Sequence, residues 1–348
     1  MTAAGQNETP SLETKTWRDI AALYQEPDLR RSLMMVGTTL VPFFTLLYVM
    51  YRSLALPYWV TLVLALPTAG LLVRTFIIMH DCGHGSFFPS RKANDAVGVI
   101  TGVLSLTPYL QWRRDHALHH ANSGDLEHRG HGDVRTLTVR EYLALDWKGR
   151  LKYRLYRNPL LMFGFGPLHL AIGQRRRPAS IATGRKEIAS VRSTNLALAL
   201  TFVFFWWLIG LKALFLVYFP VFMIAGDAGI WLFYVQHQFQ ETYWEPHEAW
   251  DYETAAMRGS SYFKLPRVLQ WFTGSIGLHH VHHLSPRIPN YNLQRCHDEN
   301  SIFHSVTVLT VRQSIRTVGL KLWDEESRQM VGYKHLRKTP QQQSSSAM

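Results

Sequence analysis

Residues 278–284 read Leu-His-His-Val-His-His-Leu, and this stretch decides the fold because it places four histidines within five positions. Imidazole is polar, and clustered imidazoles repel one another once protonated, so core packing does not explain the density. Neutral imidazole is the commonest metal ligand. On a helix, His279, His282 and His283 occupy positions i, i+3 and i+4, which lie on one face. The stretch therefore predicts a helical face that binds metal.

Two other segments repeat this spacing. His116, His119 and His120 form the same i, i+3, i+4 triple, and His80 and His84 form an i, i+4 pair. Taken together, the three histidine boxes bring too many imidazoles for one tetrahedral zinc ion, which takes four ligands. Two metal ions in a shared imidazole-rich site are the simplest interpretation.

Four apolar runs approach the length of about 20 residues that a membrane-crossing helix needs. They pair into two hairpins, because the link within each pair is short and carries a single basic residue, Arg52 or Lys212. The sequence therefore predicts an all-α membrane protein with four transmembrane helices arranged as two hairpins. The predicted spans cover residues 33–51, 57–79, 196–211 and 213–236.

The two hairpins deliver a histidine to the same side of the membrane, since His80 follows the second span and His237 follows the fourth. His237 is therefore a predicted ligand, with an interfacial histidine as the alternative. The third box can be read as HHxxH or HxxHH, and the second box favours HxxHH. In that reading His280 points about 100° away from its neighbour on the helix. The predicted metal ligands are His80, His84, His116, His119, His120, His237, His279, His282 and His283.

Basic residues dominate the charge of the chain, which has a net charge of +12 and a pI of about 9.8. Such a balance makes nucleic acid a candidate partner. No zinc-finger, RNP or helix-turn-helix pattern accompanies it, so we expect no nucleic acid. The basic residues flank the apolar runs, which suits anionic lipid. By the positive-inside rule, both termini and a helical cap holding the histidines are predicted to be cytoplasmic.

Two weaker apolar runs, residues 96–110 and 159–173, are at or below the length of a span. A crossing by either run alone would separate the histidine boxes, so we place both at the membrane interface or against the cap. Residues 17–31 predict an amphipathic helix that packs on the cap or lies on the membrane surface. The polar ends, 1–15 and 339–348, are predicted to be disordered.

Two charged residues, Arg74 and Asp227, fall inside predicted spans. Their depths differ by about 6 Å at 1.5 Å per residue, so a long arginine side chain can reach the acid. We hypothesise an ion pair that joins the hairpins; alternatively, Arg74 snorkels to the interface and Asp227 contacts water or protein. The two cysteines, Cys82 and Cys296, are expected to be free thiols.

Carboxylates near the boxes are candidates to accept the outer N–H of metal-bound imidazoles. The absence of a Glu-x-x-His motif argues against the soluble di-iron carboxylate proteins. The candidate carboxylates are Asp81, Asp115, Asp125, Glu241, Glu245 and Asp298. Surface or structural roles are expected for the histidines outside the box spacing, which are His128, His131, His169, His247, His297, His304 and His335.

The order and flanks of these motifs resemble the membrane fatty acid desaturases, in particular the branch with acyl-lipid Δ12, or ω-6, desaturases. The resemblance covers roughly residues 30–320. It implies a membrane desaturase domain at 31–320, between a polar N-terminal segment, 1–30, and a polar tail, 321–348. The similar stretches are HDCGHGSFF (80–88), WRRDHALHHANSG (112–124), WLFYVQHQFQETYW (231–244) and GLHHVHHLSPRIPNYNL (277–293).

The resemblance implies a non-haem centre of two Fe ions, molecular oxygen, and a long acyl chain carried on lipid, CoA or a carrier protein. Imidazole ligation by itself does not select iron over copper, nickel or zinc. The acyl chain is expected in a tunnel walled by the second and fourth spans. No His-Pro-Gly-Gly haem signature occurs. Electrons are therefore expected from a separate carrier, ferredoxin or cytochrome b5, and the basic face suits an acidic protein.

Two other functions are open at this point. An acyl hydroxylase, or another hydrocarbon oxygenase, has the same scaffold, although the segment 288–291 (Ile-Pro-Asn-Tyr) favours desaturation. A histidine-rich metal transporter or sensor is the remote alternative. It predicts ligands along a path through the membrane, whereas these boxes gather at one surface.

Overall fold

The structure is a computed structural model, which describes residues 16–130, 134–178 and 184–337. The predicted disordered ends and His131 lie outside the described residues. The helices are α1 (Trp17–Ala22), α2 (Leu29–Ser53), α3 (Trp59–His84), α4 (Arg91–Leu104), α5 (Tyr109–Asn122), α6 (Val139–Ala144), α7 (Trp147–Tyr156), α8 (Pro159–Gly164), α9 (Gly166–Leu168), α10 (Arg185–Ile209), α11 (Leu211–His237), α12 (Tyr252–Arg258), α13 (Arg267–Phe272), α14 (His279–Leu284), α15 (Asn290–Glu299) and α16 (Val311–Thr317). The strands are β1 (Leu137–Thr138), β2 (Tyr262–Lys264), β3 (Val308–Thr310), β4 (Leu322–Asp324) and β5 (Gln329–Val331).

Helices α2, α3, α10 and α11 are the four described helices long and apolar enough to cross a membrane. They have 25 to 27 residues each, which corresponds to about 38–40 Å at 1.5 Å per residue. The predicted pairing into two hairpins is confirmed. The second hairpin turns at Gly210, whose φ of 79° lies in the region that favours glycine.

Two predicted spans fell short of their helices by five residues or more at one end. Helix α10 begins at Arg185 instead of residue 196, and α3 continues past residue 79 to His84. Hydropathy detects where a helix leaves apolar surroundings, whereas the backbone hydrogen-bond ladder continues beyond that point. Gly85, with a φ of 70°, ends α3 directly after the first histidine box.

The helix predicted for residues 17–31 is interrupted in the structure. Helix α1 stops at Ala22, and α2 starts a new helix at Leu29. Pro27 has no backbone N–H to donate and disfavours a helical residue before it. Asp28 then accepts from the Arg31 N–H at 3.0 Å and caps the start of α2.

The two weaker apolar runs form no helix of spanning length among the described residues, as expected. Residues 96–110 divide between α4 and the start of α5. Residues 159–173 form α8, α9 and one π-helical turn, His169–Gln174. These short elements leave the long helices as the only described candidates for crossing the membrane.

Helix α3 is the centre of the fold and packs against α2, α4, α5, α11 and α13. Its apolar side chains belong to both large buried clusters of the molecule. The outer helices instead present apolar side chains outward: on α10, Trp207 is 80% exposed and Leu200 62%. Lipid contact accounts for such exposure, whereas a water-facing surface does not.

The hypothesised Arg74–Asp227 ion pair is wrong. Arg74 donates from Nε to Thr39 Oγ1 at 3.1 Å and from Nη1 to the Trp271 carbonyl, and its guanidinium lies 4.1 Å from the Trp271 ring centre. Asp227 Oδ1 is buried without a hydrogen-bond partner among the described residues. A ring and a carbonyl from α13 satisfy the arginine, and sequence depth gave no sign of that helix.

The rest of the described chain forms a cap of short helices and two small sheets. The strand order is β1-β4-β5 in one sheet, with β1 and β4 parallel and β4 and β5 antiparallel. Strands β2 and β3 pair in parallel to form the other. The prediction of a helical membrane fold is confirmed, and the strands are short additions within the cap.

Candidate metal centre

Four helices supply the nine histidines predicted from the boxes and the fourth span. The end of α3 carries His80 and His84, and α5 carries the second box. His237 is the last residue of α11, and α14 consists almost entirely of the third box. Because α3 and α11 both end at this level, the hairpins and the cap meet where the histidines are.

The first of two histidine groups has five members whose ring nitrogens lie within 4.8 Å of one another. His116 Nε2 lies 3.0 Å from His80 Nε2 and 3.1 Å from His120 Nε2. The rings thus aim the same nitrogen at a common point. The members of this group are His80, His84, His116, His120 and His282.

The second group has four members, all buried and also within 4.8 Å of one another. His279 Nε2 lies 2.9 Å from His237 Nε2. The two groups are adjacent, since the rings of His120 and His283 stack with centres 4.2 Å apart. The members of the second group are His119, His237, His279 and His283.

The second and third boxes each contribute to both groups, whereas the first box contributes only to the first group, and the helical period explains the division. Positions i and i+4 are only about 40° apart around a helix, whereas position i+3 lies on the other side of position i. In the second box, His116 and His120 therefore join the first group and His119 joins the second. In the third box, the i, i+4 pair joins the second group and His282 joins the first.

In two of the rings, the Nδ1 atom, which points away from the group, contacts a hydrogen-bond acceptor. His80 Nδ1 lies 3.0 Å from Asp81 Oδ1, and His237 Nδ1 lies 3.1 Å from the Gly259 carbonyl oxygen. An Nδ1–H that donates outward leaves the Nε2 lone pair directed into the group. This is the arrangement that metal-binding histidines adopt in proteins.

The donor set fits metal ions. Burial, and then the neighbouring imidazoles with His80 first, lower the pKa of His282 well below its ordinary value. Burial and neighbouring rings do the same to the pKa of His116 and of His283. These three rings therefore favour the neutral form, as metal ligation requires. The buried Nε2 atoms of His84, His282 and His283 have no hydrogen-bond partner among the residues that the structure describes.

Comparison with known proteins identifies the family. The sequence model described as "Fatty acid desaturase" matches residues 53–303. A Bacillus subtilis (strain 168) protein named fatty acid desaturase is 43% identical over 319 residues, covering 92% of this chain and 90% of the relative. The chain belongs to the fatty acid desaturase family. It is an oxidoreductase that desaturates fatty acyl chains, with metal, O2 and an acyl lipid as its reaction components.

Two further relatives differ in the reaction position that their names state. The sn-1 oleoyl-lipid 12-desaturase of Synechocystis is 26% identical over 282 residues, covering 76% of this chain and 73% of the relative. The endoplasmic reticulum omega-3 fatty acid desaturase of Vigna radiata is 31% identical over 231 residues, covering 63% and 58%. Similarity across these relatives supports the reaction type more strongly than a bond position.

In the desaturase, His280 lies outside both histidine groups, as the HxxHH reading expects. It is fully buried, and its Nε2 lies 3.2 Å from His297 Nδ1. His304 Nε2 in turn lies 2.9 Å from the His297 carbonyl oxygen. The high number of histidines in the third box therefore reflects two functions of α14: one face lines the centre and the other packs against α15.

The six candidate carboxylates separate in the structure. Asp81 contacts a histidine of the centre, and its Oδ2 also accepts the Asn290 N–H at 2.7 Å. Glu245 instead pairs with Arg328, and Asp298 accepts from Gln294 at 2.7 Å. The roles expected of Glu241 and Asp115 stay predictions. Asp125 contacts the two exposed histidines His128 and His247.

Several supporting residues were not predicted from the sequence. Trp112 stacks on His116 with ring centres 4.4 Å apart. Arg157 is fully buried and donates to Gln238 Oε1 at 2.8 Å, next to His237. Lys321 Nζ donates to the Arg157 carbonyl at 2.7 Å. A buried arginine held by neutral acceptors has no characteristic spacing, so only the fold reveals that it anchors the end of α11.

Proposed function

We propose that the nine histidines hold two iron ions and that the chain introduces a cis double bond into a long acyl chain. The observation that carries the proposal is the division of the nine imidazoles into adjacent groups of five and four at the ends of α3 and α11. Imidazole alone suits several metals. The choice of iron rests on family membership and on the oxidative chemistry of desaturation.

The overall reaction removes two hydrogens from adjacent methylenes of the acyl chain and reduces O2 to two water molecules. The electron donor supplies two electrons, and the solvent supplies two protons. Two iron ions would supply the oxidising power for this reaction. The protein positions the histidine rings through contacts such as Asp81 to His80. The burial of the rings excludes water from the reacting carbons.

The acyl chain is proposed to enter between α3 and α11, because these helices cross the apolar layer and end at the histidines. The donor of electrons is proposed to be a separate ferredoxin or cytochrome b5, docked by charge on the basic cap. Supplying each reduced donor separately to membranes containing the chain identifies which one supports turnover. If neither ferredoxin nor cytochrome b5 supported turnover, both would be excluded as the electron donor.

Fatty acid profiling tests the reaction and its position. Expressed in a host that contains oleoyl lipids but makes no dienoic acids, the chain is expected to yield an acid with a new cis bond at Δ12, the ω-6 position. Mass spectrometry of the acids locates the bond. The matched control is the chain with His282→Ala. A new bond elsewhere would contradict the proposed position alone, whereas a hydroxy acid in place of a double bond would support a hydroxylase.

Both termini and the metal centre are proposed to face the cytoplasm, which is supported by the basic residues of the cap. Labelling of introduced cysteines tests this topology, because the native Cys82 and Cys296 are both buried and should not react with the reagent. With Leu56→Cys in the link between α2 and α3, an impermeant thiol reagent is expected to label intact cells. With Glu326→Cys in the cap, labelling is expected only after permeabilisation. The reverse pattern would invert the proposed orientation.

A further inference from the structure

A third cluster of metal-binding side chains lies outside the nine histidines. Asp125, His128 and His247 place their ligand atoms within 4.8 Å of one another. Asp125 Oδ2 lies 2.8 Å from His128 Nδ1 and 2.7 Å from His247 Nδ1. The two rings meet edge to face, with centres 4.6 Å apart. Two imidazoles from distant parts of the chain thus converge on one carboxylate oxygen.

The carboxylate is held in place before any ligand arrives. The side chain of Asp125 is 2% exposed, and its Oδ1 accepts the N–H groups of Glu127 at 3.0 Å and His128 at 3.3 Å. Burial opposes ionisation of Asp125, but the hydrogen bonds from His247, His128 and the backbone outweigh it and lower its pKa. Oδ2 therefore carries negative charge and faces the two rings.

The backbone around the cluster is also fixed. The Leu126 N–H donates to the Glu245 carbonyl, and the Glu245 N–H donates to the Gly124 carbonyl, both at 2.9 Å. The His247 N–H donates to the Glu127 carboxylate at 2.5 Å. The segment that follows α5 and the segment that follows α11 are therefore tied together directly beneath the side chains.

The two imidazoles remain accessible while the carboxylate is buried. The side chain of His128 is 48% exposed and that of His247 is 61% exposed. An ion between them would keep an open position for water. Two histidines and one carboxylate with such a position form a donor set that zinc accepts. A simple ion pair needs only one imidazole, as in the cap, where His335 Nε2 lies 3.3 Å from Asp324 Oδ2.

We propose that Asp125, His128 and His247 form a third metal site, which binds one divalent transition-metal ion of the zinc type. The ion is bound through Asp125 Oδ2 and the two Nδ1 atoms, and each ring then carries its proton on Nε2. Zinc bonds of about 2.0–2.2 Å separate tetrahedral ligand atoms by about 3.3 Å. Each exposed ring needs to move outward by only about half an ångström to reach that spacing.

The site joins the segments that leave the second histidine box and the fourth span. Asp125 lies five residues after His120, and His247 lies ten residues after His237. A bound ion cross-links the two segments and stabilises the cap beside the catalytic centre without touching it. The role is structural, so the site is independent of which metals occupy the nine histidines.

Metal analysis of the purified full-length chain tests the proposal. The protein, with its own iron retained, is equilibrated with zinc chloride, desalted, and analysed for zinc and iron. The wild-type chain is expected to bind one zinc in addition to its iron. Asp125→Asn keeps the Oδ1 atom that accepts the backbone N–H groups. Asp125→Asn and His247→Gln each remove a ligand. Each should therefore weaken zinc binding by more than the roughly 10–100-fold that is lost when a hydrogen-bond partner of a ligand is removed. Iron content and gel-filtration profile should not change.

His335→Gln is the matched control, because it removes an imidazole from the pair with a single histidine, and its zinc binding should equal the wild type. Equal zinc binding by wild type and Asp125→Asn would show that the ion binds elsewhere and would overturn the proposal. A wild-type chain that takes up no extra zinc would overturn it as well. Should the chain contain no iron, a zinc loss specific to Asp125→Asn would still support the third site while contradicting the proposed di-iron centre.

Discussion

Replacing His282 with alanine is expected to abolish desaturation while the chain still inserts into the membrane. His282 is buried, and its Nε2 has no hydrogen-bond partner in the described part of the chain. Its ring centre lies 4.5 Å from that of His80 and 4.7 Å from that of His120. Removing a ligand costs more than the ~10–100-fold loss caused by removing an outer partner. His119→Ala should have the same effect through the second group.

The measurements are the double-bond content of host lipids, the iron content of the purified chain, and its amount in the membrane fraction. His280→Gln is the matched control from the same helix, because His280 contacts His297 and lies outside both groups. It should keep its iron. Full turnover by His282→Ala or His119→Ala would remove that residue from the proposed ligands.

Replacing Asp81 with asparagine should lower iron affinity and turnover by about 10–100-fold. Asn has the size of Asp but no negative charge, so it holds the Nδ1–H of His80 less strongly and makes Nε2 a weaker donor to metal. The carboxylate is 2% exposed and accepts from both His80 and the Asn290 backbone, so water cannot replace it easily.

Iron retention during dialysis against a chelator, together with the double-bond yield, measures this effect. Asp95→Asn is the control: its carboxylate, 40% exposed, accepts from Arg113 at 2.7 Å and contacts no histidine of the centre. If Asp81→Asn retained iron as well as Asp95→Asn, Asp81 would have no part in orienting His80.

The features that could be predicted depend on local periodicity. Two hairpins follow from the lengths of four apolar runs, and a shared face follows from the i, i+3, i+4 spacing of the boxes. Both properties are local: the box spacing covers little more than one helical turn, and an apolar run of about 20 residues covers between five and six turns. Helix ends were predicted less well: at α10 the hydropathy signal began eleven residues after the true start, Arg185.

The failures share one physical origin, which is a partner far away in the sequence. Arg74 was assigned to Asp227 by depth, but its acceptors are on α2 and α13. Asp125 was a candidate partner of the metal-bound imidazoles, and the contact with His247, 122 residues away at 2.7 Å, was not foreseen. Single polar residues have no period, so nothing in the sequence indicates which distant segment they will meet.

The sequence by itself determined that the protein is a helical membrane enzyme with a histidine-rich centre, because hydropathy and helical spacing are properties of short segments. Only the tertiary structure decided how the nine histidines divide into five and four. It also decided that Asp81 supports His80 and that Arg157 anchors the end of α11. Those outcomes depend on how α3, α5, α11 and α14 approach one another, and that approach is set by side chains packing across the whole chain.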